Sequence, residues 1–158
     1  MIIEATGLTK EFARARGGQR LFTAVHPLDI GLEERSLTAV SGHSGSGKST
    51  LLNMLAGILT PTAGIVRIDG TDLYSLGDEE RSRLRNERIG LVPQGHTALR
   101  ALTVLDNVLL PAVLYNRDEA PAERARELLG RVGLGDLAEA APTELSGGEL
   151  RRMAIARA

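Results

Sequence analysis

Ser41-Gly42-His43-Ser44-Gly45-Ser46-Gly47-Lys48-Ser49-Thr50 is the stretch that decides the fold. A short apolar run, Ser36-Leu37-Thr38-Ala39-Val40, leads into it and suits a buried strand. Leu51, Leu52, Met54 and Leu55 follow at helical spacing, and Gly57 with Pro61 ends that helix. A strand, a glycine-rich turn and a helix start in immediate succession make a site for an anion. Glycines at 42, 45 and 47 let the backbone curl so that successive N–H groups converge, where bulkier residues would block the approach. The helix that follows adds N–H groups without helical acceptors and the positive end of its dipole.

The spacing Gly42-x-x-x-x-Gly47-Lys48-Ser49 is a complete Walker A motif. Its four fixed positions recur by accident in well under ~1% of chains this long, so a chance Gly/Ser turn is a poor account of it. In such a loop Lys48 reaches the β- and γ-phosphates of a nucleotide, Ser49 ligates Mg²⁺ through its hydroxyl, and Thr50 adds a hydroxyl near the α-phosphate. His43, Ser44 and Ser46 complete the cradle, His43 at a variable position.

Outward from the loop, residues 2–12 read as a strand and residues 21–32 as a second one, with Pro27 confining it to an edge or a bulge. Gly17-Gly18, flanked by Arg14, Arg16, Gln19 and Arg20, reads as the hairpin tip between them. Ile65–Ile68 is a strand closed by the turn pair Asp69-Gly70. Asp78–Arg88 is a charged helix, and Ile89–Val92 a second strand of buried type, closed by Pro93-Gln94. Residues 103–116, 121–132 and 147–157 then read as helices with no strand between them. The first 93 residues therefore look α/β and residues 94–158 helical.

Composition removes several function classes. The 158 residues carry 19 Lys+Arg against 20 Asp+Glu, a net charge of -1, which excludes a protein acting mainly as a polycation on nucleic acid or anionic lipid. Without cysteine there is no disulfide, Cys metal site or thiol nucleophile. The greasiest stretch, Leu102–Leu114, is short and broken by Asp106 and Asn107, so it does not span a bilayer. No secretory pattern opens the sequence at Met1-Ile2-Ile3-Glu4. Aromatics are confined to Phe12, Phe22, Tyr74 and Tyr115, too few for a base-stacking surface. Lysines number two, Lys10 and Lys48, against 17 arginines, so a lysine at a motif position stands out.

Leu145-Ser146-Gly147-Gly148-Glu149 precedes a helix with Leu150, Met153, Ala154 and Ile155 on one side. Alone it is an N-cap and a flexible turn. Beside the Walker A motif it is a second ready-made anion site. Here the chain resembles the ATP-binding cassette (ABC) ATPases, whose second diagnostic motif is Leu-Ser-Gly-Gly-Gln or Glu before a basic, Ala-rich helix such as Arg151–Ala158. Gln94, after a strand, stands where that family has its Q-loop glutamine. Phe12, after Leu8-Thr9-Lys10, stands where it has an aromatic stacked on adenine. The resemblance runs along the whole chain, including Thr60–Gly64 and Leu102–Val108. It is strongest to the lipoprotein-release and macrolide-export type, on Arg83–Gln94 and Asp106–Pro111.

The resemblance implies an α/β P-loop NTPase fold of the ABC type, incomplete, with an antiparallel β region at the N-terminus and a helical subdomain at the C-terminus. Residues 1–93 would be the nucleotide core and 94–158 the Q-loop and helical subdomain with the signature. It implies ATP and Mg²⁺ as ligands, with Lys48 and Gln94 catalytic and Ser49 and Gln94 on the metal. Ser146, Gly147, Gly148 and Glu149 would face the γ-phosphate held by Lys48 of a second subunit in a head-to-tail pair. Residues 95–112 would dock on a membrane permease, placing the chain on the cytoplasmic face of a membrane with no nucleic acid partner.

The family continues, after its signature, with an apolar strand ending in Asp-Glu and then a switch histidine. No such residues follow Glu149 here; Asp69 and Glu149 do not replace them, and His26, His43 and His96 all precede the signature. The sequence is thus expected to be truncated after the signature, its sheet left open beside residues 37–40, and to be impaired in phosphoryl transfer to water. Leu91-Val92-Pro93-Gln94-Gly95 also lacks the aromatics frequent around the family's Q-loop. Two alternatives share the motifs: a non-transport ABC ATPase acting on DNA or ribosomes, and a nucleotide-binding module without turnover. The first would co-purify with nucleic acid, and the second would bind without hydrolysis in the intact protein. A small-molecule kinase or GTPase leaves Leu145–Glu149 unexplained.

Overall fold

The computed structural model describes residues 1–14, 20–95, 98–115 and 121–158; the expected hairpin tip around Gly17-Gly18 and the imidazole of His96 lie outside them. The chain divides into two compact units, Met1–Arg85 and Asn86–Ala158.

In the first unit, alternating and β-branched residues build β1 (Ile3–Arg14), β2 (Arg20–Leu32) and β3 (Ala63–Ile68), with the short β4 (Thr71–Asp72). They form one antiparallel sheet in the order β2-β1-β3-β4. Pro27 lies in β2, at the sheet edge, and the β1–β2 pairing slips between Ala5 and Leu8 and twice more before Glu11. Both placements that Pro27 allows, edge and bulged strand, are therefore met together. Asp69 and Gly70 have φ of 48° and 79°, the pair of positive values that a two-residue I′ turn between β3 and β4 requires. Gly64 is required by close approach: a Cβ there would lie 2.5 Å from the Gly7 carbonyl oxygen of β1.

Ala5, Leu8, Val25, Val66 and Ile68 are buried on the sheet, and Leu51, Met54 and Leu55 on α1 (Lys48–Leu55). Each of these side chains larger than alanine is worth about 1.5–3 kcal/mol of transfer free energy. The last carbonyls of α1, which no helical N–H can reach, are met from elsewhere. Tyr74 Oη lies 2.6 Å from the Met54 oxygen; in the turn just beyond the helix it lies 2.8 Å from the Leu59 oxygen, and Arg85 Nη1 donates to Gly57 O at 3.0 Å. Arg85 stands on α2 (Asp78–Arg88), which opens with Asp78, Glu79 and Glu80 on the positive end of its dipole.

Two expected strands are absent. Residues 36–40 are irregular and exposed, with Leu37 at 99% exposure, and residues 89–92 are irregular too. The reason is pairing. A strand needs a ladder partner for its N–H and C=O groups, and no described residue pairs with either run. Among the described residues the sheet is wholly antiparallel.

In the second unit, α3 (Val104–Tyr115), α4 (Pro121–Arg131) and α5 (Gly147–Arg157) enclose a core of Val104, Leu105, Val108, Leu129, Leu134 and Met153 with smaller neighbours. Short 3₁₀ turns at Gly135–Leu137 and Pro142–Glu144 link α4 to α5. Thr103 caps α3: its Oγ1 accepts from Asp106 N at 3.0 Å and donates to Asp106 Oδ2 at 2.8 Å. Asn107 is fully buried and fully bonded. Its Oδ1 accepts from Leu99 N at 2.8 Å, and its Nδ2 donates to Leu99 O at 3.0 Å and Thr103 O at 2.8 Å.

Candidate functional site

The glycine loop winds around its own lysine. Lys48 Nζ donates to the carbonyls of Gly42 at 2.7 Å and His43 at 2.8 Å, and to Ser46 Oγ at 3.3 Å. His43 Nδ1 donates to Ser44 O at 2.9 Å, and Ser46 N to His43 O at 3.2 Å, which tightens the turn. Gly47, with φ 87°, is the N-cap of α1 and supplies no side-chain cap. A Cβ on it would lie 2.2 Å from the Ala24 carbonyl of β2, so the loop lies directly against the sheet only because this residue is glycine.

The first intrahelical bond of α1 runs from Leu51 N to Gly47 O at 2.8 Å. The N–H groups of Lys48, Ser49 and Thr50 thus have no acceptor inside the helix, and the first turn holds no acidic residue. Ser49 is exposed and Lys48 half-buried. Convergent N–H groups, a helix dipole and an ammonium fit a phosphate chain, and the Ser49 hydroxyl is a hard oxygen donor suited to Mg²⁺.

Phe12, on β1, pairs directly across the strands with Phe22 and is 40% exposed. Lys10 Nζ sits 5.3 Å from the Phe12 ring centroid. Phe12 and residues 42–50 thus belong to one unit. Gln94, in an exposed irregular stretch, and Ser146–Glu149 belong to the other.

At the start of α5 a capping box closes. Ser146 N and Ser146 Oγ both donate to Glu149 Oε2 at 2.7 Å, and Glu149 N donates to Ser146 Oγ at 3.4 Å. The Ser146 hydroxyl, then its backbone N–H, holds the exposed Glu149 carboxyl below its usual pKa, and Arg152 adds to the effect. Burial pushes Tyr74 up to about 12 against the opposing charges of Arg81 and Arg85. A cavity of about 640 Å³ in the second unit, lined by Ile89, Leu91, Val108, Leu128 and Ile155 among others, touches none of the predicted site residues.

Three contacts escaped the sequence reading. The spacing Ser146-x-x-Glu149 is itself a capping-box signature and could have been read as one. Lys10 over Phe12 had only the rarity of lysine to announce it. Tyr74 and Arg85 at the end of α1 had no signal.

A lysine folded into a glycine loop at an uncapped helix start defines the P-loop class of nucleotide-binding proteins. Within that class the chain belongs to the ABC transporter family, whose profile matches residues 25–158. It is 41% identical over 158 residues to the lipoprotein-releasing system ATP-binding protein LolD of Xanthomonas euvesicatoria, covering 99% of this chain and 64% of that protein. It is 43% identical over 157 residues to the macrolide export ATP-binding/permease protein MacB of Rhodopseudomonas palustris, covering 99% of this chain and 24% of that one. A bacterial ABC transporter cassette, solved as a dimer, superposes with a TM-score of 0.89 at 34% identity, over 98% of this chain and 68% of that one. The same cassette in a post-hydrolysis state with ADP and Pi bound matches equally, at a TM-score of 0.89. The ABC ATPase fold is thereby established, and the chain spans about two thirds of that cassette's length.

Proposed function

We propose that the chain is the nucleotide-binding part of an ABC transporter ATPase and that it holds MgATP on residues 42–50. The observation that carries this reading is Lys48. Its ammonium is bound by Gly42, His43 and Ser46 within a loop whose own N–H groups and helix dipole favour an anion. The loop binds and orients the phosphates, and Lys48 neutralises charge at the β- and γ-positions. The Ser49 hydroxyl would hold Mg²⁺, which would neutralise phosphate charge when bound, and Gln94 would carry the metal role that the family likeness assigns to it. Phe12 stacks the base.

The assignment of residues 1–93 to nucleotide binding and of 94–158 to the Q-loop and signature belongs to the same proposal. Two copies then meet head to tail, with Ser146, Gly147, Gly148 and Glu149 of one over the γ-phosphate of the other. Support comes from the likeness to a cassette solved as a dimer and to one bound to ADP and Pi. The name of the MacB relative, an ATP-binding/permease protein, supports a membrane permease as the further partner, and work at the cytoplasmic face of a membrane belongs to the same proposal.

Calorimetric titration of MgATP tests the core of this reading. Binding by the 158-residue chain that Lys48→Ala abolishes is the expected result. Equal heats from both proteins would overturn it.

A further inference from the structure

Lys10 is held too firmly to be an ordinary surface lysine. Its Nζ donates to Thr60 O at 2.7 Å. The segment carrying that oxygen is itself fastened to β1: Thr62 N donates to Thr9 O at 2.9 Å, and Thr62 Oγ1 accepts from Glu11 N at 2.9 Å. The ammonium therefore has a fixed anchor on one side. On the other it faces the Phe12 ring, 5.3 Å from its centroid.

The register places this pair. Lys10 is opposite Val25, and Phe12 is opposite Phe22. Val25 is buried, and its Cγ2 would lie 3.2 Å from a Cβ at Gly47. Lys10 and Phe12, two residues apart on one strand, share the sheet face that meets the phosphate loop.

We propose that Lys10 is a positioning residue for the nucleotide base. It rests on the reading of Phe12 as the base platform. The ammonium occupies one face of the ring by a cation–π contact and leaves the other face to an aromatic heterocycle. It also fixes in advance a ring that is 40% exposed, so that less freedom is lost when a base stacks on it. Because the ammonium is committed to Thr60 and to the ring, it acts through Phe12 and not on the phosphates.

The test compares MgATP with magnesium tripolyphosphate, which has the charges but no base. Both are titrated into the 158-residue chain and into Lys10→Gln, Lys10→Arg, Phe12→Leu and the Lys10→Gln/Phe12→Leu double variant. Lys10→Gln keeps a donor for Thr60 O and removes the cation, so it protects the fold. The expected result is an MgATP Kd raised about threefold by Lys10→Gln and restored by Lys10→Arg, with tripolyphosphate unchanged. On the Phe12→Leu background, Lys10→Gln has no further effect. Equal weakening of tripolyphosphate overturns the proposal, as does multiplication of the two effects in the double variant. If Phe12→Leu weakens MgATP and Lys10→Gln does not, the Lys10 proposal fails alone. If Phe12→Leu leaves MgATP unchanged, the base platform fails and takes the proposal with it.

Discussion

Gly45 and Gly47 both have positive φ, 81° and 87°, yet alanine at the two positions should differ sharply. The backbone cost of a Cβ in this region is about 1–2 kcal/mol and applies to both. At Gly45 nothing lies within 4 Å of the new methyl group. At Gly47 it would lie 2.2 Å from the Ala24 carbonyl oxygen. Non-bonded atoms settle near ~3.5 Å, so about 1 Å of movement is needed. Ala24 does not yield easily, because β2 is paired to β1 on either side of it, Thr23 with Glu11 and Val25 with Lys10. The loop must move instead, taking Lys48 and the start of α1 with it. A displacement of about 1 Å in a positioned site costs roughly 100-fold. Gly47→Ala should therefore raise the MgATP Kd about 100-fold, and Gly45→Ala no more than about 30-fold. Titration calorimetry gives the affinities, and thermal unfolding without nucleotide gives the accompanying stability loss. An affinity of Gly47→Ala within about threefold of the parent, or a larger defect in Gly45→Ala, would refute the reasoning.

Tyr74→Phe removes the donor at the end of α1 and should cost about 1 kcal/mol, read from urea unfolding. The Tyr74 pKa is raised in the folded chain to about 12, so its contribution is complete below pH 10 and is lost as pH rises towards 12. Allowing for partial exposure, the parent should lose about 1 kcal/mol over that interval that Tyr74→Phe does not lose. Asn107→Leu strands Leu99 N, while Leu99 O and Thr103 O keep the Leu102 and Asn107 backbone N–H groups, and should destabilise the second unit by about 2 kcal/mol; an unchanged urea midpoint would contradict the buried amide's role. Glu149→Gln retains acceptors for the capping box but removes a charge beside the signature. MgATP-dependent self-association, followed by analytical ultracentrifugation, should tighten about threefold, whereas Glu149→Ala should fray the first turn of α5 in amide exchange.

Legibility in the sequence tracked how local each cause was. The helices Asp78–Arg88 and Gly147–Arg157 were readable to the residue because their starts carry acidic residues or a Ser-Gly-Gly cap. The turn at Asp69-Gly70 was readable because few residues tolerate two positive φ values. The P-loop was readable because its glycines, lysine and helix start lie within ten consecutive residues. Ser36–Val40 and Ile89–Val92 misled because an apolar run specifies only a tendency; a strand also needs a paired neighbour, which periodicity does not report. Asn107 looked like a break in a greasy run and is instead its buried anchor, because the carbonyls it satisfies come from a loop four to eight residues earlier. Lys10, Tyr74 and Arg85 act across gaps of 15 to 50 residues, which composition cannot anticipate.

The five α-helices among the described residues also differ in how their positive ends are neutralised. α2 has Asp78, Glu79 and Glu80 in its first turn, α3 has Asp106, α4 has Glu123 and α5 has Glu149. α1 has none, and its N-cap is a glycine without a side chain. At its other end Tyr74 meets the Met54 carbonyl, and Arg85 meets that of Gly57 in the turn just beyond. The asymmetry leaves the favourable partner of the α1 N-terminus to be an anion from outside the helix, which is what the Walker A spacing requires. α5 is the contrasting case. Its Ser-Gly-Gly start has the geometry of an anion site, but Glu149 already supplies a carboxylate to Ser146 there. An external phosphate at α5 must therefore compete with an internal one-electron charge, whereas at α1 it meets only Lys48 and the loop. On this ground, in the proposed function, α1 would take the triphosphate first, and α5 would engage it only when a second chain had already brought it close.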